Sequence, residues 1–199
     1  NFDHADISTL EEFRKQVNAE QRDGSARLTL LPFILKAAAH ALQRYPAFNS
    51  TVEGNESIVR SYRHIGFAVD TPEGLVVPVV RDADKKGLLD IARESDELVR
   101  LARAGKLGPD RMQGGCFTVS NLGSAGGSGF TPIINAPEVA ILGVARSEIR
   151  PVWDGVQFQP RLMLPLCLSW DHRALDGVVA ARFLGFLAGM LSDFRRAVL

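Results

Sequence analysis

The 199-residue chain predicts an α/β fold, a mixed β-sheet with helices packed on it. Three observations carry that prediction. Helical hydrophobic spacing recurs in four segments, and strand-like apolar runs lie between them. From Phe48 onward the apolar period changes to two, with turn residues punctuating the runs. Hydrophobic residues make up 46% of the chain and charged residues 23%, enough to bury a real core in one domain spanning 1–199.

Taken in order, Ser8-Thr9-Leu10-Glu11 reads as a capping box, with Ser8 as N-cap and Glu11 at N3. The helix it opens carries Leu10, Phe13 and Val17 on one face and is expected to stop near residues 22–25. A second helix is predicted over 30–45, with Pro32 in its first turn and Pro46 closing it. It is apolar nearly all round, so it is expected to be buried. Residues 49–52 and 57–61 flank a hairpin turn at 53–56, and 65–69 and 75–79 flank another at 71–74. The β-branched run 74–80 reads as one strand covered on both faces. A clear amphipathic helix follows over 88–104, with Leu89, Ile91, Ala92, Leu98, Leu101 and Ala102 inward and Gly105 as its C′ residue. Strands are predicted at 116–120, 140–142, 148–152 and 161–168, with Asp154-Gly155 turning one pair into a hairpin. The last helix carries Val178, Phe183, Leu184, Leu187 and Leu191 and runs to about 195.

Several function classes are excluded. Lys plus Arg equals Asp plus Glu at 23 each, so the charge balance calls for neither nucleic acid nor an anionic membrane. No apolar stretch qualifies as a membrane span. The two cysteines, Cys116 and Cys167, lie far apart in apolar runs, which fits buried thiols, a reducing cytoplasmic compartment and no zinc site. The chain opens on Asn1-Phe2-Asp3 without an initiator Met or a signal peptide, and preceding sequence is expected to be missing.

Chemistry concentrates at Leu168-Ser169-Trp170-Asp171-His172-Arg173-Ala174-Leu175-Asp176-Gly177, where a strand ends and a helix is about to begin. A strand fixes the backbone there while the loop leaves a ring exposed. Histidine accepts a proton near neutral pH without large tuning, so His172 suits a general base, and Asp176 is close enough to interact with the imidazole or with Arg173. Spacing alone leaves a capping or surface role for His172 open. His40 sits in a helical segment where packing explains it, and His4 and His64 have no partner at metal-ligand spacing. The glycine-dense stretch 121–130 matches neither a P-loop nor a dinucleotide fingerprint, and reads equally as a ligand-approach loop or a surface loop.

Three separated motifs, His172-Arg173-Ala174-Leu175-Asp176-Gly177, Phe117-Thr118-Val119-Ser120-Asn121-Leu122-Gly123 and the stretch 130–144, together resemble the catalytic domain of the dihydrolipoamide acyltransferases. The resemblance covers essentially the whole chain. It implies a chloramphenicol acetyltransferase-like two-layer sandwich. Segments 151–155 and 160–166 look most like the acetyl-transferring members of bacterial pyruvate dehydrogenase complexes rather than succinyl or branched-chain ones. The implied reaction is direct thioester exchange between coenzyme A and dihydrolipoamide, the lipoamide riding on a separate lipoyl domain, with no metal. His172 would take the thiol proton, Ser120 would donate to the oxyanion, and Asp176 would hold the loop and the imidazole. Phe130 and Leu142 match apolar positions assigned to the coenzyme A side.

The same resemblance implies a homotrimer with the site between two subunits, assembling through C-terminal segments such as 195–199 into a cubic core. Its partners would be lipoyl domains and the pyruvate dehydrogenase and dihydrolipoamide dehydrogenase components. Departures from the family pattern are Trp170 for a more usual Tyr, Cys167 for Ser, and the smaller Ala174-Leu175. A serine hydrolase using Ser120, His172 and Asp176 is disfavoured because Ser120 lacks a Gly-x-Ser-x-Gly elbow. A non-catalytic structural core is disfavoured by the retained His172, Ser120 and Asp176, and a small-molecule acceptor fits the motifs less well.

Overall fold

The computed structural model describes residues 1–20 and 27–198. Its centre is a seven-stranded mixed sheet in the order β1-β11-β9-β8-β4-β7, with β10 also paired to β11. The strands are β1 (Phe2–Asp6), β4 (Ile65–Phe67), β7 (Val79–Val80), β8 (Phe117–Asn121), β9 (Ala140–Val144), β10 (Glu148–Trp153) and β11 (Phe158–Trp170). The pairs β4–β8 and β8–β9 are parallel and the others antiparallel. Two small hairpins stand off it: β2 (Ser50–Glu53) with β3 (Glu56–Val59), and β5 (Val69–Thr71) with β6 (Gly74–Val76). Among the described residues four α-helices complete the fold: α1 (Ser8–Glu20), α2 (Leu30–Arg44), α3 (Leu88–Arg103) and α4 (Gly177–Ser192).

Strand alternation decides what each face of the sheet does. Val119, Leu142 and Leu168 stand opposite one another and are buried against the helices. Phe183 of α4 anchors that layer: its ring stacks on Phe48 at 4.0 Å and lies 5.7 Å from Phe117. Burying one such ring contributes about 2–3 kcal/mol. The other face presents Ser120, Gly143 and Cys167 in one row and Thr118, Ile141 and Ser169 in the next. Segment 130–138 covers this second face, and a Cβ at Gly143 would meet Pro132 at 3.0 Å and Phe130 at 3.1 Å. Gly143 is therefore a packing requirement.

α2 and α3 lie within a residue or so of their predicted bounds, and nine side chains of α2 are buried. The end of α3 is a Schellman motif: Lys106 N–H donates to Leu101 at 2.9 Å and Gly105 N–H to Ala102 at 3.0 Å, with Gly105 at φ 65°. Leu89, expected inward, is 46% exposed. The stop predicted for α1 near 22–25 lies outside the described residues.

Four expectations are corrected. The capping box is not formed: Asp6 accepts the Ser8 N–H at 3.0 Å, the Ser8 hydroxyl accepts from Leu162 N–H at 2.9 Å, and Glu11 turns to Arg14. The run 74–80 is not one strand but two, β6 exposed and β7 buried, parted at Val77-Pro78. β1 was not foreseen, and β11 is 13 residues long instead of eight, because β10, β1 and β9 pair with successive parts of it. α4 ends at Ser192, and the chain continues as a 3-10 turn, Phe194–Val198, whose Phe194 ring sits 4.9 Å from Phe33.

Candidate active site

The loop 171–176 is wound around Asp171. Its N–H donates to Val139 carbonyl at 2.8 Å, and its carbonyl accepts from Ala174 and Leu175, both at 3.1 Å. Its carboxylate accepts from Arg173 backbone N–H at 2.9 Å and from the Arg173 guanidinium at 2.6 and 3.0 Å. That pairing holds the Asp171 carboxyl below the usual carboxylate range. Leu175, 5% exposed, plugs the loop into the core. Asp176 is the N-cap of α4, accepting Val178 N–H at 3.0 Å and Val179 N–H at 2.9 Å through one oxygen. Every residue around His172 is thus tied down while His172 itself is exposed. Its ring lies 6.2 Å from that of the half-buried Trp170. Among the described residues nothing hydrogen-bonds to the imidazole, and Asp176 meets the helix rather than the ring.

Ser120 lies near the end of β8, half-buried, on the face covered by segment 130–138. It lines a cavity of about 380 Å³ with Thr118, Phe130, Ile133, Asn135 and Ile141, and His172 is not among the lining residues. Phe130 therefore shares this cavity with Ser120. Leu142 is 0% exposed, on the helix side of β9 between Val119 and Leu168, which leaves none of its surface to a ligand. Within one chain the cavity beside Ser120 and the exposed His172 thus share no wall.

Two features were missed. The Asp171–Arg173 pair had a signal, opposite charges flanking His172 at spacing two. Glu138 had none beyond its place after Pro137: it is 6% exposed and accepts from the Thr118 hydroxyl at 2.8 Å. Burial pushes its carboxyl up to about 7 against the opposing effect of the Thr118 and Asn135 hydrogen bonds.

His40, His64 and both cysteines lie within the packed fold, whereas His4 is exposed. His64 accepts the Asp82 N–H on Nδ1 at 2.9 Å, and burial holds its pKa and that of His40 down. Both cysteines are buried and unpaired, Cys116 being pushed up to about 12 by burial. Among the described residues no three His, Cys, Asp or Glu side chains gather as a metal site, and no helix is long and apolar enough to cross a membrane.

Known proteins resemble this chain along its full length. The dihydrolipoyllysine-residue acetyltransferase component of the pyruvate dehydrogenase complex of Cupriavidus necator is 57% identical over 199 residues, all of this chain and 36% of the relative. The chain thus spans about a third of the length of that curated relative. The solved cubic core of a pyruvate dehydrogenase multienzyme complex superposes with a TM-score of 0.97 at 54% identity, over 100% of this chain and 83% of that one.

So does the Azotobacter vinelandii dihydrolipoamide acetyltransferase, at 0.97 and 53% over the same shares, in a study of a serine, a histidine and an asparagine in its catalytic mechanism. Its serine precedes its histidine by 52 positions and its asparagine follows by four. Those are the spacings of Ser120, His172 and Asp176, with aspartate here in place of asparagine. A chloramphenicol acetyltransferase, 13% identical with a TM-score of 0.63 over 97% of this chain and 86% of its own, shares the fold. With the model of the 2-oxoacid dehydrogenases acyltransferase catalytic domain matching residues 1–199, this chain belongs to that family.

Proposed function

We propose that the chain transfers an acetyl group between dihydrolipoamide and coenzyme A, as the catalytic domain of an acetyltransferase at the core of a bacterial, cytoplasmic pyruvate dehydrogenase complex. The observation that carries the reading is the pair of half-sites, Ser120 in its cavity and His172 on its fixed loop, at the spacing of the catalytic serine and histidine studied in the relative.

In this reading His172 removes the proton from the attacking thiol, and the thiolate adds to the thioester carbonyl. The Ser120 hydroxyl donates to the oxygen that becomes negative, a contribution on the order of a hundredfold in rate. Collapse expels the second thiolate, which takes the proton back from the imidazolium, so no acyl-enzyme forms. Asp176 supports the base by capping α4 and setting where the loop ends, and Asp171 with Arg173 stiffens the loop. Phe130 contributes apolar wall on the coenzyme A side, and Leu142 supports that wall only from within the core. Oriented approach of the two partners supplies much of the rest, up to roughly 7–11 kcal/mol.

His172 does not line the Ser120 cavity of its own chain, which supports the arrangement that the family resemblance implies, a site completed by Ser120 from one copy and His172 from the next in a cyclic homotrimer. Such trimers would build the cubic core and receive lipoamide on lipoyl domains that work with the pyruvate dehydrogenase and dihydrolipoamide dehydrogenase components. The direct test is acetyl transfer from acetyl-coenzyme A to dihydrolipoamide, wild type against His172→Ala. The wild type should be active and the variant should lose several orders of magnitude. Equal rates would show that His172 is structural.

A further inference from the structure

Glu138 is the most deeply buried carboxylate in the described residues and no step above uses it. It sits where three parts of the molecule meet. Its Oε1 accepts the Thr118 hydroxyl of β8 at 2.8 Å, and Asn135 Nδ2 reaches both that hydroxyl at 3.4 Å and Oε1 at 3.5 Å. Its backbone N–H closes a turn onto Asn135 carbonyl at 3.0 Å, and its backbone forms an antiparallel bridge with Thr51 of β2. The next residue, Val139, accepts the N–H of Asp171, so the same segment anchors the His172 loop.

Room for this cluster is provided by glycines. A Cβ at Gly66 would meet Thr118 Oγ1 at 2.9 Å, and one at Gly115 would meet Glu138 Oε1 at 3.1 Å. The second carboxyl oxygen, Oε2, is buried without a partner among the described residues. A fold does not gain stability from such a group. Burial, outweighing the Thr118 and Asn135 hydrogen bonds, raises its carboxyl to about 7, so near neutrality it spends much of its time uncharged. The cluster is nonetheless built with one hydrogen-bonded arm directed at β8, two residues before Ser120 and on the same face of the strand.

We infer that Glu138 is a positioning residue for acyl transfer: through Thr118 and Asn135 it locks segment 130–138 onto β8 and so fixes the Ser120 hydroxyl in its cavity. The inference rests on the acetyl-transfer reading above. A displacement of about an ångström at such a group costs on the order of tenfold to a hundredfold in rate.

The test measures acetyl transfer by the assembled protein for wild type, Glu138→Leu, Glu138→Gln and Thr118→Val, each also in a Ser120→Ala background. Glu138→Leu and Thr118→Val should each lower kcat by tenfold or more with both KM values little changed. Glu138→Gln, which keeps an acceptor for Thr118, should recover most of the loss. In the Ser120→Ala background the same changes should have almost no further effect, because what they position is gone. If Glu138→Leu does not fold, Thr118→Val removes the same hydrogen bond from the other side with a nearly identical shape. Unchanged kcat in both variants, or losses that multiply in full with Ser120→Ala, would overturn the inference. An inactive wild type would instead overturn the acetyl-transfer reading on which it rests.

Discussion

Replacing Glu138 by Gln should make the protein's resistance to denaturation, relative to the wild type, greater at pH 8 than in acid. The wild-type carboxyl titrates at about 7 in the folded protein because burial disfavours its ionised form, against 4.5 for an ordinary glutamate. Below pH 4.5 the group is protonated in both states and contributes no pH dependence. Between 4.5 and about 7 the unfolded chain ionises while the folded protein does not, so stability falls as pH rises. Above about 7 the penalty is complete.

Each pH unit of difference is worth about 1.36 kcal/mol, and the interval from 4.5 to about 7 therefore amounts to about 3 kcal/mol. A glutamine carries no such penalty, although its amide group must find partners at a cost independent of pH. The quantity to compare is thus the change in the variant-minus-wild-type difference between pH 4.5 and pH 8, from urea melts at fixed protein concentration. The difference should move by about 3 kcal/mol in favour of the variant. A difference that stays constant with pH, or moves the other way, would refute the claim that the buried carboxyl is held protonated by burial.

Two further changes probe the frame of the site. Asp176→Ala removes the acceptor for Val178 and Val179 N–H and should cost about 1 kcal/mol of stability in urea melts, while Asp176→Asn, which keeps a cap, should cost far less. Gly143→Ala drives a methyl group against Pro132 at 3.0 Å and Phe130 at 3.1 Å; it should cost about 1–3 kcal/mol in the same melts and raise the KM for coenzyme A, since the wall it displaces lines the Ser120 cavity.

The helices were legible because their packing obeys one period. α2 is apolar nearly all round and α3 has one wet face, and both were readable without tertiary information. Where sequence reading failed, a distant partner had the deciding role. The stretch Phe2–Asp6 has two apolar residues, Phe2 and Ala5, with no period-two spacing and only Ala5 fully buried, and becomes a strand only because β11 offers it an edge. Ser8 looks like a cap until Leu162, 154 residues away, takes its hydroxyl. The run 74–80 carries four valines, yet Pro78 cannot donate to a ladder and the strand divides.

The candidate site divides in the same manner. The placement of His172 in a strand-to-helix loop and of Ser120 at a strand end was legible, because both depend on local junctions. Leu142 was read as a ligand contact from its motif alone, whereas the parity of β9 turns it toward the helices and leaves Gly143 on the cavity side. Glu138 matters only because segment 130–138 folds over β8, a tertiary event that no periodicity encodes.

Co-assembly of His172→Ala protomers with Ser120→Ala protomers tests the central claim most directly, because it asks for both the chemistry and its division between chains. The two proteins, each nearly inactive alone, are unfolded, mixed in equal amounts, refolded together and assayed for acetyl transfer. Random assortment around a cyclic trimer leaves about a quarter of the sites with an intact Ser120 from one copy and an intact His172 from its neighbour. The account predicts recovery of about that fraction of wild-type activity. Mixtures that refold into trimers and remain as inactive as their parents would contradict it.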